Sequence, residues 1–159
     1  MDQQDFIRLK EEVALQEKTL RFENFNSASA WELGCFMVER VRRMGIDLAI
    51  SIRKLNGNIV FQHVTDGTAM GNQLWMDRKF RTVATLEMSS YAAWVNSQLS
   101  GMSAKDHGLD ESKCVFCGGG FPIRLKSGEL VGAVIVSNLP HEQDHQFVVD
   151  SLTEWLNKQ

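Results

Sequence analysis

The sequence predicts an α+β fold in which helices pack against an antiparallel sheet, and two hairpin patterns and the helical segments around them carry that reading. Gly118-Gly119-Gly120-Phe121-Pro122-Ile123-Arg124-Leu125 reads as a glycine-walled strand that turns at Ser127-Gly128 and returns over Leu130–Ser137. Three glycines at a strand entrance let a ligand or another backbone come close, because no Cβ stands in the way. The returning strand sets Leu130, Gly132, Val134 and Val136 on one face and Val131, Ala133 and Ile135 on the other. A strand apolar on both sides belongs in the centre of a sheet covered on both faces. The earlier hairpin alternates: Ile46, Leu48, Ile50 and Ile52 face one way, Asp47, Ser51 and Arg53 the other. Asn56-Gly57 then suits a two-residue type I′ turn, which sets Ile52 opposite Phe61 and Ile50 opposite His63.

The helices follow in order. Asp5–Leu20, rich in Glu, Lys, Gln and Leu, is a first helix within residues 1–20. Ser27–Met44 is a second, capped by Asn26 or Ser27 and closed by Gly45, with Cys35 expected in its core. A third runs from Asn72 to Met88, with Met76, Phe80, Val83 and Glu87 along one line. Trp75, Lys79, Thr82 and Leu86 lie beside that line, and Arg78, Arg81 and Thr85 point away from it. Ser89–Leu99 continues as a short helix, Ser100–Ser112 reads as a surface loop, and Pro140 opens a last helix through Leu156.

The chain of 159 residues suits a single domain spanning 1–159, and its formal net charge of −3 makes no electrostatic case for nucleic acid or an anionic membrane. The longest apolar run is too short to cross a bilayer, and the acidic Met1–Asp5 lacks the order of a secretory signal. Three cysteines without framework spacing suit a reducing compartment, so a cytoplasmic location is expected.

Four features could carry chemistry. Cys114-Val115-Phe116-Cys117 has the spacing of half a zinc site, but no second such pair occurs, so no metal is assigned. His141, Asp144 and His145 share a face of the last helix, where Asp144 complements the helix dipole and a histidine could serve haem iron. Lys79, one turn from both Trp75 and Thr82, could direct its ammonium to a carboxylate or phosphate against the flat wall of Trp75. It is expected to point at Gly118-Gly119-Gly120. No nucleophile triad, phosphate loop or dinucleotide fingerprint is present.

These residues resemble a known family. Lys79-Phe80-Arg81-Thr82-Val83 matches a Lys-x-x-Thr-Ala helix, with Val for Ala, and Gly119-Gly120-Phe121-Pro122-Ile123 matches Gly-Gly-x-Pro-Ile. Gly132–Asn138 matches a strand ending Val-Ser-Gly, with Asn138 in place of Gly, and Asp144 matches an aspartate that opens the final helix. The chain is thus similar to the GlcG-like, or haem-degrading-type, domain proteins. Trp75-x-x-Arg78-Lys79 and Asp144-His145 resemble the bacterial and fungal branch of about 160 residues, which has no assigned activity. The resemblance implies a profilin-like, five-stranded antiparallel sheet between helices, assembled as a homo-oligomer. The candidate site for a small-molecule ligand, haem or another tetrapyrrole or anion, comprises Trp75, Arg78, Lys79, Thr82, Gly118, Gly119, Gly120, Phe121, Asp144 and His145. Three functions compete on this basis: a ligand-binding module, a haem-degrading enzyme and an oligomeric scaffold. No catalytic residue is assigned.

Overall fold

Three of the five α-helices begin where a side chain takes up one of the first free N–H groups. The structure is a computed structural model that describes residues 1–159. Asp2 accepts from the Asp5 amide at the start of α1 (Gln3–Thr19), and Asn26 from the Ser29 amide at the start of α2 (Ser27–Met44). After the hairpin β1 (Ala49–Lys54) and β2 (Ile59–Val64) come α3 (Met70–Leu86) and α4 (Ser90–Ser100), the latter capped by Ser89. A long connection with one 3-10 turn at Lys105–His107 leads to β3 (Gly120–Arg124), β4 (Leu130–Ser137) and α5 (His141–Asn157).

The sheet has four strands in the order β2-β1-β4-β3, every neighbour antiparallel, and this corrects the expected five. The stretch after α1 comes nearest to a fifth. It meets the sheet at one bridge, where the Phe22 amide donates to Arg124 O at 2.9 Å and Phe22 O accepts from the Lys126 amide at 2.7 Å. Asn26 then caps α2, so the extended stretch ends before a ladder can form.

Both hairpins close with three residues. In the first, the Gly57 amide donates to Lys54 O and the Lys54 amide to Asn58 O, with Gly57 at φ 93°. In the second, the Gly128 amide donates to Leu125 O, with Gly128 at φ 99°. These are turns with a glycine bulge, not the two-residue turn expected at Asn56-Gly57. The register slips between Ile52 and Arg53, which restores the expected pairs Ile52–Phe61 and Ile50–His63.

β4 pairs with β1 and β3 and is covered on both sides. Ile50, Ile52, Val134 and Val136 pack with Leu33, Met37 and Val41 of α2 and Val148 and Leu152 of α5. Each such buried side chain contributes about 1.5–3 kcal/mol. On the other face Ala49, Ala133 and Ile135 meet Met76 and Val83 of α3. α1 packs on α4 through Val13, Tyr91 and Val95. Cys35, expected in the core, lies on the exposed side of α2, opposite Leu33 and Met37. In α3 the buried positions are Met76, Lys79, Thr82 and Val83, so the inner face is turned toward Lys79 and away from the expected line ending at Glu87.

The three glycines sit where protein crowds them. Gly119 has φ 130°, and a Cβ there would lie 2.5 Å from Val136 O and 2.7 Å from Lys79 Nζ. Gly119→Ala should therefore cost about 2–4 kcal/mol in urea unfolding, through strain and overpacking. Gly71→Ala, in α3 with open space around it, should cost nothing or stabilise by about 0.5–1 kcal/mol. Equal stability of the two variants would show that the crowding at Gly119 is not a constraint.

Candidate functional site

One turn of α3 divides the expected site between the interior and the surface. Successive helical residues step by about a quarter turn, so Lys79 and Thr82 enter the protein while Trp75 and Arg78 leave it. Lys79 is 3% exposed and does point at the glycine segment. Its ammonium donates to Asp144 Oδ2 at 3.0 Å and to Val136 O at 2.9 Å. Asp144 is 1% exposed, and its other oxygen accepts from the Leu139 amide at 3.1 Å. Burial pushes Asp144 up to about 6, against the pull of the ammonium and the backbone donors. The pair thus joins α3, β4 and α5 inside the protein, away from solvent. Thr82 is equally internal: its hydroxyl donates to Val115 O at 2.8 Å and accepts from the Val115 amide at 3.0 Å, which holds the Cys114–Cys117 loop. Burial raises both thiols of that loop.

Gly118 donates to His141 Nδ1 at 3.0 Å, and Gly120 donates to Ser90 Oγ at 2.9 Å. The close approach that the glycines permit is therefore made by α3, α4 and α5. Phe121 is buried in the core, 5.9 Å from the His145 ring. His145 stacks on Tyr91 at 4.6 Å and donates through Nε2 to Gln16 Oε1 at 2.7 Å, while its buried Nδ1 has no partner. Burial depresses this imidazole to about 4, so it is neutral at pH 7. His141 is also lowered by burial, with Glu142 opposing. No three His, Cys, Asp or Glu side chains converge as a metal centre would need.

The outer half is an open groove of about 630 Å³ along α3 and the loop before β3. The Arg78 guanidinium lies 4.8 Å from the Trp75 ring centre, and one of its amino groups donates to Glu111 O at 2.8 Å. Its Nε is buried and has no partner. Arg81 and Lys113 bring two more cations, and Asp77 on the rim is held by Arg53 at 2.7 Å. Sequence reasoning set Arg81 aside as outward-facing and did not single out Lys113. The three-residue spacing of Trp75, Arg78 and Arg81 was the available signal, whereas nothing local marks Lys113.

Removing the interior lysine should expose what it balances. Lys79→Ala should cost about 3–5 kcal/mol at pH 8, because it leaves a buried carboxylate alone. The folded-state Asp144 already lies above its ordinary 3.8 and would rise further without the ammonium. Protonation then favours the folded variant, so its deficit should be smallest near pH 4 and grow as pH rises through the folded value. A deficit that does not change between pH 4 and pH 8 in urea unfolding would contradict the assignment.

Residues 25–153 match the family described as "Haem degrading protein HbpS-like". A UPF0303 protein of Paraburkholderia phymatum is 38% identical over 141 residues, covering 88% of this chain and 85% of the relative. One of Rhizobium etli is 36% identical over 146 residues, covering 92% and 88%. Among solved structures, the Ybr137w protein superposes with a TM-score of 0.87 at 25% identity, covering 94% of this chain and 88% of that one. A PduOC complex with haem superposes with a TM-score of 0.67 at 18% identity, covering 81% and 93%, a likeness of fold. With most of its length matched by the family and by these relatives, the chain belongs to the HbpS-like haem-degrading protein family.

Proposed function

We propose that this chain is a small-ligand-binding domain whose ligand is a flat, largely apolar molecule bearing carboxylate or phosphate groups. The observation that carries this reading is Arg78, fixed over Trp75 beside a groove that also holds Arg81 and Lys113. The volume suits a small molecule, and Trp75, 43% exposed, offers a ring face. A guanidinium already held by its neighbours loses little freedom when it takes a charge-assisted contact. Family membership and the haem complex of PduOC make haem, with two carboxylates and a flat ring, the first ligand to test.

Axial ligation of haem iron does not fit this arrangement. None of the four histidines lines this groove or the larger one beside α1. His141 has its Nδ1 engaged by Gly118, and His145 is closed beneath Gln16. The reading therefore rests on stacking and ion pairing by Trp75, Arg78, Arg81 and Lys113, and no step is routed through iron.

Titration with haemin, followed by tryptophan fluorescence and absorbance, tests this. Saturable binding is expected without the absorbance bands of a histidine-ligated haem. Arg78→Ala should weaken it by about 1.5–3 kcal/mol, tenfold or more. His145→Phe should leave it unchanged. Binding that survives Arg78→Ala and is lost with His145→Phe would overturn the reading.

Assembly is part of the same proposal. β2 leaves its outer edge unpaired, with Ile59 and Val64 exposed, and Met70, Leu74 and Trp31 are exposed large apolar side chains. Such edges and patches favour association with another copy. Light scattering at micromolar concentration should report a homo-oligomer, and an 18.0 kDa species alone would contradict it.

A further inference from the structure

Four cations, Lys10, Lys18, Arg21 and Arg124, line one groove of about 490 Å³ between α1 and α4. None of the protein's ion pairs involves any of them. The chain carries 20 acidic residues against 17 basic ones, so carboxylate partners are not scarce. Lys10, Ala14 and Lys18 recur every fourth residue along one side of α1, and Arg21 follows its C-cap Leu20. The single carboxylate on the wall belongs to Glu17, and both of its oxygens are taken by Ser89, from the amide at 3.1 Å and the hydroxyl at 3.0 Å. A cleft lined by one sign of charge concentrates the opposite sign from solution.

Two of these cations converge. Arg124, at the end of β3, donates from Nη1 to Gly128 O at 2.9 Å and from Nη2 to Glu87 O at 2.7 Å. Carbonyls from two elements thus fix the direction of this guanidinium. Arg21 donates from Nε to Glu17 O at 3.3 Å, and its Nη1 lies 3.8 Å from where a Cβ of Gly128 would stand. Both guanidinium groups therefore reach the turn between β3 and β4, and no counterion stands between them. Beside them Ala14, Met88 and Ala92 supply apolar surface.

We propose that this groove is a second ligand site, for a small organic phosphate monoester. The phosphate lies between Arg21 and Arg124 with the Lys18 ammonium alongside, and the apolar body rests on Ala14, Met88 and Ala92. A phosphate monoester suits this set better than a carboxylate does. It brings three acceptor oxygens and about two negative charges to two guanidinium forks and an ammonium. The planar fork of arginine also matches two phosphate oxygens at once. Lys10, about 12 Å along α1 from Lys18, adds attraction at a distance. This groove shares no residue with the Trp75 groove, so the site stands or falls independently of that one.

Phenyl phosphate titrated into the full chain, followed through the amide resonances of Ala92 and Gly128, tests the assignment. Saturable shifts are expected below about 10 mM, and phenol, the ring without the phosphate, should give none. Sulfate should bind less tightly, because it lacks the apolar body. Arg21→Gln should weaken phenyl phosphate at least about tenfold, the loss expected for a charge-assisted contact. Lys18→Gln should weaken it by about threefold, as suits an exposed ion pair. Arg78→Ala should leave the Ala92 and Gly128 shifts unchanged, which separates this site from the Trp75 groove even if that groove also takes the probe. The proposal is overturned if no saturable shift appears, if Arg21→Gln binds as the wild type does, or if sulfate binds as tightly as phenyl phosphate. Should Arg21→Gln disturb the fold, the exposed Lys18→Gln decides in its place, and unchanged binding there overturns the proposal.

Discussion

The buried pair of Lys79 and Asp144 is the constraint around which the rest of this domain is arranged. It joins α3 to α5 across the end of β4, and Lys79 also takes the Val136 carbonyl. Two charges this deep are tolerated only when their remaining hydrogen-bonding positions are filled. Asp144 meets that requirement through the Leu139 amide, at the turn between β4 and α5. The turn itself is strained: Asn138 stands at φ 139°, a backbone region suited to glycine. Its side chain offsets this by donating to Asp47 O at 3.1 Å and meeting Asn72. The position at which this chain departs from the expected Val-Ser-Gly pattern is therefore one where glycine's freedom would have served.

The glycine segment follows from the same constraint. An ammonium and a β4 carbonyl occupy the space where side chains of residues 118–120 would stand, while Ser90 and His141 bind the amides of Gly120 and Gly118. α3, α4 and α5 thus converge on one short stretch of backbone. Such convergence leaves no room for a Cβ at residues 118–120. The exposed side of α3 is left outside this convergence, with the Arg78 guanidinium over the Trp75 ring.

The two halves of α3 show how a small rotation changes function. Arg78 and Lys79 are neighbours in sequence, both cations, and differ by one helical step. Lys79, a compact point charge on a flexible stem, reaches a single carboxylate in the interior. Arg78, planar, lies on an indole and donates to Glu111 O. Arg53 follows a third course: it is buried under α3, donates to Ser51 and Asp77, and lies 5.6 Å from the Phe80 ring centre. Charge alone did not determine these outcomes; depth and the available partners did.

The order of helices and hairpins, the central place of Leu130–Ser137 and the pairing of Ile50 with His63 were legible in the sequence. Hydrophobic period and turn residues are local signals, and they act over a few residues. The strand count was not, because Arg21–Phe25 is extended but makes one bridge, and a ladder depends on what lies opposite. Nor was the orientation of α3, since an interior aspartate on α5 made Lys79 a buried position. Family membership was carried by Lys79, Gly119-Gly120 and Asp144, and those residues proved to be partners in one interior cluster. What only the tertiary structure decided was which partner each polar group meets. The Ser89 donors and the His145 ring find theirs 72 and 129 positions away, contacts that no local pattern encodes.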